Sequence, residues 1–153
     1  MAYAGNQEGH SITRPPMFSG TDYTYWKTRM RIFLISMDFE LWNLVENGFS
    51  KSSLPMIDWN DLEKKAFALN AKAMNALFCA LDKNEFNRVS ICETAFDIWH
   101  TLEVTHEGTS RVKESKINLL LHSFELFRMK PSETIGDMFT RFTDVVNGLK
   151  GLG

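Results

Sequence analysis

Cysteine is nearly absent from this chain of 153 residues, which carries only Cys79 and Cys92. Both fall in apolar helical context, so two buried free thiols are expected rather than a disulfide framework. Breakers are few as well: four Pro, two of them adjacent at Pro15 and Pro16, and nine Gly. Long stretches are therefore left uninterrupted. No apolar run approaches the roughly 20 residues of a membrane span. The opening residues MAYAGNQEGH lack the apolar region of a signal peptide, and there is no Asn-x-Ser/Thr sequon. These absences point to an intracellular, cytoplasmic chain with no membrane contact. Charge is nearly balanced at −2, so the chain as a whole offers no electrostatic case for tight nucleic-acid binding.

Motifs of catalysis are missing too. His10, His100, His106 and His122 show no HExxH spacing. Cys79, Cys92, His100 and His106 do not pair with the spacing of a finger or ribbon, which argues against zinc. There is no phosphate loop, no GxGxxG and no GxSxG. Asp58, Asp61 and Glu63 stand at an expected helix start, where capping alone accounts for acids. The expectation is a non-enzyme with no cofactor, no metal and no small-molecule substrate.

What is present is core material. Hydrophobic residues make up 44%, with 12 Phe and 4 Trp, which excludes a mainly disordered chain. The length suits one domain, or one domain and part of a second. Apolar residues recur at helical spacing along most of it, no segment alternates like a strand, and no repeat is visible. The fold class is all-α, a helical bundle.

Residues 1–14 are polar and aperiodic and read as a flexible segment. An extended lead-in follows, with Met17 and Phe18 docking on the core. A first helix capped by Thr21 or Asp22 places Tyr23, Trp26, Met30, Phe33, Leu34 and Met37 on one face. Asp38 caps a short second helix that buries Leu41, Trp42 and Val45 and stops at Gly48. A long helix from about Asp58 carries Trp59, Leu62, Ala66, Leu69, Ala73, Leu77 and Leu81. A turn and short helix fill 82–91. The next helix, from Glu93 or Thr94, buries Ala95, Ile98, Trp99 and Leu102 and ends at Gly108. Another runs from about Ser110 to Met129 with Ile117, Leu120, Leu121, Phe124 and Phe127 inward, until Lys130-Pro131 breaks it. Ser132 caps the last, whose apolar face is Ile135, Met138, Phe139, Phe142, Val146 and Leu149. A division near Gly108-Thr109 gives domains 15–107 and 108–153. The second holds only two helices, which cannot bury both of their apolar stripes alone.

Three sets of side chains stand out. Trp26, Trp42, Trp59 and Trp99 occur once per helix on apolar faces and read as core anchors, with a base-stacking platform as the alternative. Lys27, Arg29 and Arg31 on the first helix, and Arg111, Lys113 and Lys116 on the helix from Ser110, read as solvated faces or as a weak RNA-facing surface. Glu133 and Arg141 are either an exposed acid and an unrelated base, or a fixed pair in a network tying the Lys130-Pro131 turn to the helix. Spacing leaves both open.

The segment PPMFSGTDYTYWKTRMRIFLISMDFELWNLVENG carries a Pro/Phe/Gly lead, an aromatic-x-x-Trp helix and an LW-x-x-V helix, at Phe18, Gly20, Tyr23, Trp26, Met30, Leu41, Trp42, Val45 and Gly48. With TAFDIWHTLEVTHEGTSRVKESKINLLLHSFELFRMKPSETIGDMFTRF, it resembles the Gag polyproteins of copia-type LTR retrotransposons, especially plant ones. The resemblance covers about 15–153. It implies a capsid-like, non-enzymatic protein that self-assembles into virus-like particles around element RNA. Residues 15–107 would correspond to a capsid N-terminal domain and 108–153 to the start of a C-terminal domain, whose remaining helices would follow. The segment 129–142, with Glu133-x7-Arg141, is similar to the second half of the retroviral major homology region. Met129 and Lys130 stand where that region has Gln-Gly.

The expected partner is therefore a second copy, in a dimer at least, domain-swapped or symmetric, through Ile135, Phe139, Phe142, Val146 and Leu149. RNA would be bound weakly or through downstream regions. The alternative is a domesticated Gag-derived adaptor that binds another protein and forms only small oligomers.

Overall fold

The computed structural model describes residues 11–108 and 110–152. Among them the chain forms seven α-helices, one 3-10 turn and no strand. The helices are α1 (Tyr23–Met37), α2 (Phe39–Asn47), α3 (Asp61–Cys79), α4 (Lys83–Val89), α5 (Ala95–Glu107), α6 (Ser110–Glu125) and α7 (Ile135–Leu152). They fall into two compact units, divided between Glu103 and Val104. Most of the segment expected to be flexible, residues 1–10, lies outside the described residues, as does Thr109 at the expected boundary.

In the N-terminal unit the core is built around aromatic rings. Trp26 stacks on Phe18 at 5.0 Å and lies 5.9 Å from Trp99, which meets Trp42 edge-on at 5.4 Å. Such offset and edge-on pairs add to the burial of large apolar surface. Tyr23, Met30 and Leu34 of α1, Leu41 and Val45 of α2, Ala73, Ala76 and Leu77 of α3, and Ala95, Ile98 and Leu102 of α5 close it. Small Ala73 and Ala76 on α3, and Ala80 at its C-cap, let neighbouring backbones approach.

The lead-in is pinned rather than loose. The Phe18 amide donates to Ala80 O at 2.7 Å, and the Asp82 amide donates to Phe18 O at 3.1 Å. The Trp26 indole donates to Pro16 O at 2.8 Å. In this extended stretch successive side chains point to opposite sides, so Phe18 is buried while Met17 is exposed. Only one of the two expected docking residues therefore docks.

Several helix starts differ from the sequence expectation, each for a local reason. Asp22 holds the N-cap position of α1 but caps nothing: its backbone is left-handed, φ 55°, a region Asp tolerates better than most residues. Asp38 does cap α2, its carboxylate accepting from the Glu40 and Leu41 amides. The helix expected from Asp58 begins at Asp61 instead. Residues Met56–Asp58 form a 3-10 turn, and Asn60 and Glu63 make a reciprocal capping box. That start leaves Leu62, expected in the core, 77% exposed. Cys79, expected to be buried, is exposed on the last turn of α3, and Cys92 is half-buried.

The four tryptophans are all buried. The Trp59 indole donates to Leu54 O at 2.9 Å and its ring packs on Phe67 at 5.1 Å. A base-stacking platform needs exposed faces, which these rings do not offer.

One buried polar residue was not singled out from the sequence. Asn70 on α3 accepts the Ala95 amide at 2.9 Å and donates to Glu93 O at 3.4 Å. It supplies from another helix the partner that the first amide of α5 lacks within its own helix. Asn70→Ala strands that buried amide and lowers the unfolding free energy by about 1–3 kcal/mol. Urea denaturation followed by circular dichroism measures it, and an unchanged midpoint refutes the latch.

Candidate functional site

The C-terminal unit contains an antiparallel hairpin of α6 and α7, whose turn is organised by Glu133 and Arg141. Arg141 Nε donates to Glu133 Oε1 at 2.8 Å and Nη2 to Glu133 Oε2 at 2.9 Å. The same Nη2 donates to Arg128 O at 2.6 Å. The guanidinium lies 4.3 Å from the centre of the Phe127 ring. Glu133 Oε2 also accepts the Lys130 amide at 2.9 Å. A two-point Arg–carboxylate pair fixes orientation as well as distance. Here it ties the turn on both sides of Pro131 to α7.

This clasp explains two departures from the expected boundaries. α6 ends at Glu125 rather than Met129, so that the Arg128 carbonyl leaves the helical ladder and faces Arg141. The side-chain cap of α7 comes from Thr134, whose Oγ1 accepts the Asp137 amide at 3.1 Å. Ser132, expected to cap, sits in the turn outside the helix.

Along the hairpin Phe142 packs against Phe127 at 5.1 Å and Phe124 at 5.8 Å. Farther along α7, Gly148 faces Leu120: a Cβ there would lie 3.2 Å from Leu120 Cδ1. The helices therefore cross closely at that point. Of the residues placed on the apolar face of α7, Val146 and Leu149 are half-buried and Phe142 lies at the edge of exposure. Ile135 and Phe139 are 72% and 68% exposed. On α6, Ile117 and Leu120 are half-buried as expected, as is Phe127 just beyond it, but Leu121 and Phe124 stay partly exposed.

The six basic candidates have different surroundings. On α1, Lys27 lies 3.4 Å from Glu103 and 5.9 Å from the centre of the Tyr23 ring. Arg29 lies over the Tyr25 ring at 5.4 Å, while Arg31 is exposed. On α6, Arg111 is exposed, but Lys113 lies 3.1 Å from the Glu107 carboxylate and Lys116 donates to Glu107 O at 3.0 Å. Lys27, Lys113 and Lys116 are thus engaged inside the fold, which weakens the basic-surface reading. Glu107 is buried and was not singled out from the sequence; its signal was an acid preceding Gly108, followed by Lys113 and Lys116. Gly108 itself has φ 89°, and a Cβ there would lie 2.7 Å from Val112 Cγ1, so only glycine fits. Among the described residues no cluster of three or more His, Cys, Asp or Glu could hold a metal ion, and no helix is long and apolar enough to cross a membrane.

Hydrogen bonding from Arg141, with a further contribution from the Lys130 amide, lowers the Glu133 pKa from 4.5 to about 2. The same carboxylate raises the pKa of Arg141. A depressed acid stabilises the fold above its unfolded pKa, and that contribution fades as pH falls toward the folded value. Glu133→Gln should therefore flatten the loss of stability between pH 4.5 and about 2. At neutral pH, Glu133→Ala and Arg141→Ala should both speed amide exchange in residues 126–142. Identical exchange in parent and variants refutes the clasp.

A family model described as gag-polypeptide of LTR copia-type matches residues 30–153. No curated protein and no solved structure matches the chain. The matched residues span α1 from Met30 onward through the whole of the clasped hairpin, well over half of the sequence. The chain therefore belongs to the copia-type Gag family, and its role is a Gag-like structural one.

Proposed function

We propose that this chain is an assembling unit of a copia-type Gag shell, self-associating in the cytoplasm through the outer face of α7 to build virus-like particles around element RNA. The observation that carries the reading is the exposure of Ile135 and Phe139 on a hairpin whose own apolar contacts are already made through Phe124, Phe127 and Phe142. Large exposed apolar side chains grouped on one helix face favour a protein partner. A self-complementary patch on identical chains closes into a two-fold dimer. Membership of the Gag family supports a second copy as that partner. The clasp supports the reading as well, because a face used for docking needs a rigid backbone beneath it.

Phe142 is a poor probe of this contact, since its ring also packs within the hairpin. Phe139 is cleaner, being more exposed. Phe139→Asp should convert a dimer to monomers and abolish particles in negative-stain images, with the melting temperature within about 2 °C of the parent. Size-exclusion chromatography with light scattering over a wide concentration range reads the mass. A parental mass in the variant defeats the proposal.

A further inference from the structure

The N-terminal unit holds a cleft that the α7 reading leaves unused. The chain between α2 and α3 folds back on the first turns of α3 and encloses a cavity of about 250 Å³ there. Its apolar wall is Phe49, Trp59, Leu62 and Ala66. Contacts within the fold set that wall. The Trp59 ring packs on Phe67, whose centre also lies 6.4 Å from that of Phe49. The Trp59 indole is tied to Leu54 O. Leu62, by contrast, stands largely exposed beside them. The wall is thus in place before any partner arrives, which lowers the entropic cost of docking.

The polar side of the cleft, Ser50, Ser52, Asn60 and Glu63, carries one carboxylate and no base. Glu63 Oε2 accepts the Asn60 amide at 2.8 Å within the capping box. Among the described residues, Glu63 Oε1, Asn60 Nδ2 and the Ser50 hydroxyl have no protein partner. Lys51, between the two serines, places its ammonium 5.8 Å from the centre of the Phe67 ring rather than at Glu63. The half-buried Glu63 therefore presents one carboxylate oxygen to an incoming cation.

Size narrows the ligand. Pockets for whole small molecules measure about 300–1,000 Å³, and an apolar cavity of about 150 Å³ in another protein takes up one benzene. At about 250 Å³ this cleft suits one large side chain rather than a whole small molecule. Charge narrows the ligand again, to one with a base beside that side chain. We propose that the cleft is a docking site for a segment of another protein in which an aromatic residue is flanked by Arg or Lys. The ring enters against the apolar wall, and the base pairs with Glu63 Oε1. The Ser50 hydroxyl and Asn60 Nδ2 donate to carbonyls of the segment. Aromatic residues and Arg are the commonest anchors of protein contacts, and a carboxylate at the rim selects partners by charge. The site shares no residue with α7 and does not depend on self-association.

The test titrates three peptides into the full chain: acetyl-Arg-Phe-Arg-amide, acetyl-Glu-Phe-Glu-amide and acetyl-Arg-Ala-Arg-amide. Saturation transfer from protein to peptide protons in NMR spectra reads binding whether the chain is monomeric or assembled. The Arg-Phe-Arg peptide should bind at least about tenfold tighter than the Glu-Phe-Glu peptide, and the Arg-Ala-Arg peptide should not bind. Leu62→Lys, at an exposed position, sets a like charge at the cleft and should weaken the Arg-Phe-Arg peptide at least about tenfold with the melting temperature unchanged. Glu63→Gln keeps the capping box, in which Gln can replace Glu, so the cleft stays folded. It should bring the Kd values of the two Phe peptides within about threefold of each other. A merely structural Glu63 would leave their ratio unmoved. The proposal is overturned if the Arg-Phe-Arg peptide shows no transfer, if the Glu-Phe-Glu peptide binds as well, or if both variants keep the parental Kd. It also fails if Leu62→Lys lowers the mass of the chain itself in light scattering, because the cleft then receives a second copy.

Discussion

Two helices lying side by side can each cover one stripe of the other and no more. In the C-terminal unit that limit governs everything else. Phe142 turns toward Phe124 and Phe127, and Gly148 lets Leu120 come close. What remains on α7, above all Ile135 and Phe139, has no third helix in the unit to receive it. The N-terminal unit escapes the limit because α1, α2, α3 and α5 surround a shared set of rings, with the Phe18 lead-in laid over it. The N-terminal unit thus closes a core of its own, and the other leaves apolar surface on α7 exposed.

The polar interactions serve this division. Buried polar groups persist where they are paired, and three paired polar residues here fix junctions between elements. Asn70 joins α3 to the start of α5. Glu107 holds Lys113 and Lys116 across the bend at Gly108. The Glu133–Arg141 pair holds the turn between α6 and α7. Their effect is to hold the backbone where one element passes to the next.

The helical periodicity of the sequence was enough to determine an all-α chain, the buried faces of α1, α2 and α5, and the stop signals at Gly48 and Gly108. It also determined that a two-helix segment after Gly108 would be left with apolar surface to cover. These features are local: they follow from side chains three or four positions apart on one helix, or from a glycine whose missing Cβ admits a positive φ at little cost. The resemblance of two long stretches to copia-type Gag was likewise legible, because it rests on residues that recur along the chain.

What only the tertiary structure decided depends on groups distant in sequence or on competition between neighbouring caps. Asn60 with Glu63 displaced the expected start of α3 and exposed Leu62, since a reciprocal capping box satisfies two amides at once. Thr134 capped α7 in place of Ser132, because the clasp draws the preceding turn toward Arg141. Asn70 and Glu107 carry no sequence signature for burial: their partners lie on other elements or across a bend. The spacing of Glu133 and Arg141 fitted either a pair or two strangers. Only the fold could bring the Arg128 carbonyl and the Phe127 ring to the same guanidinium, and those extra partners hold the ion pair in place.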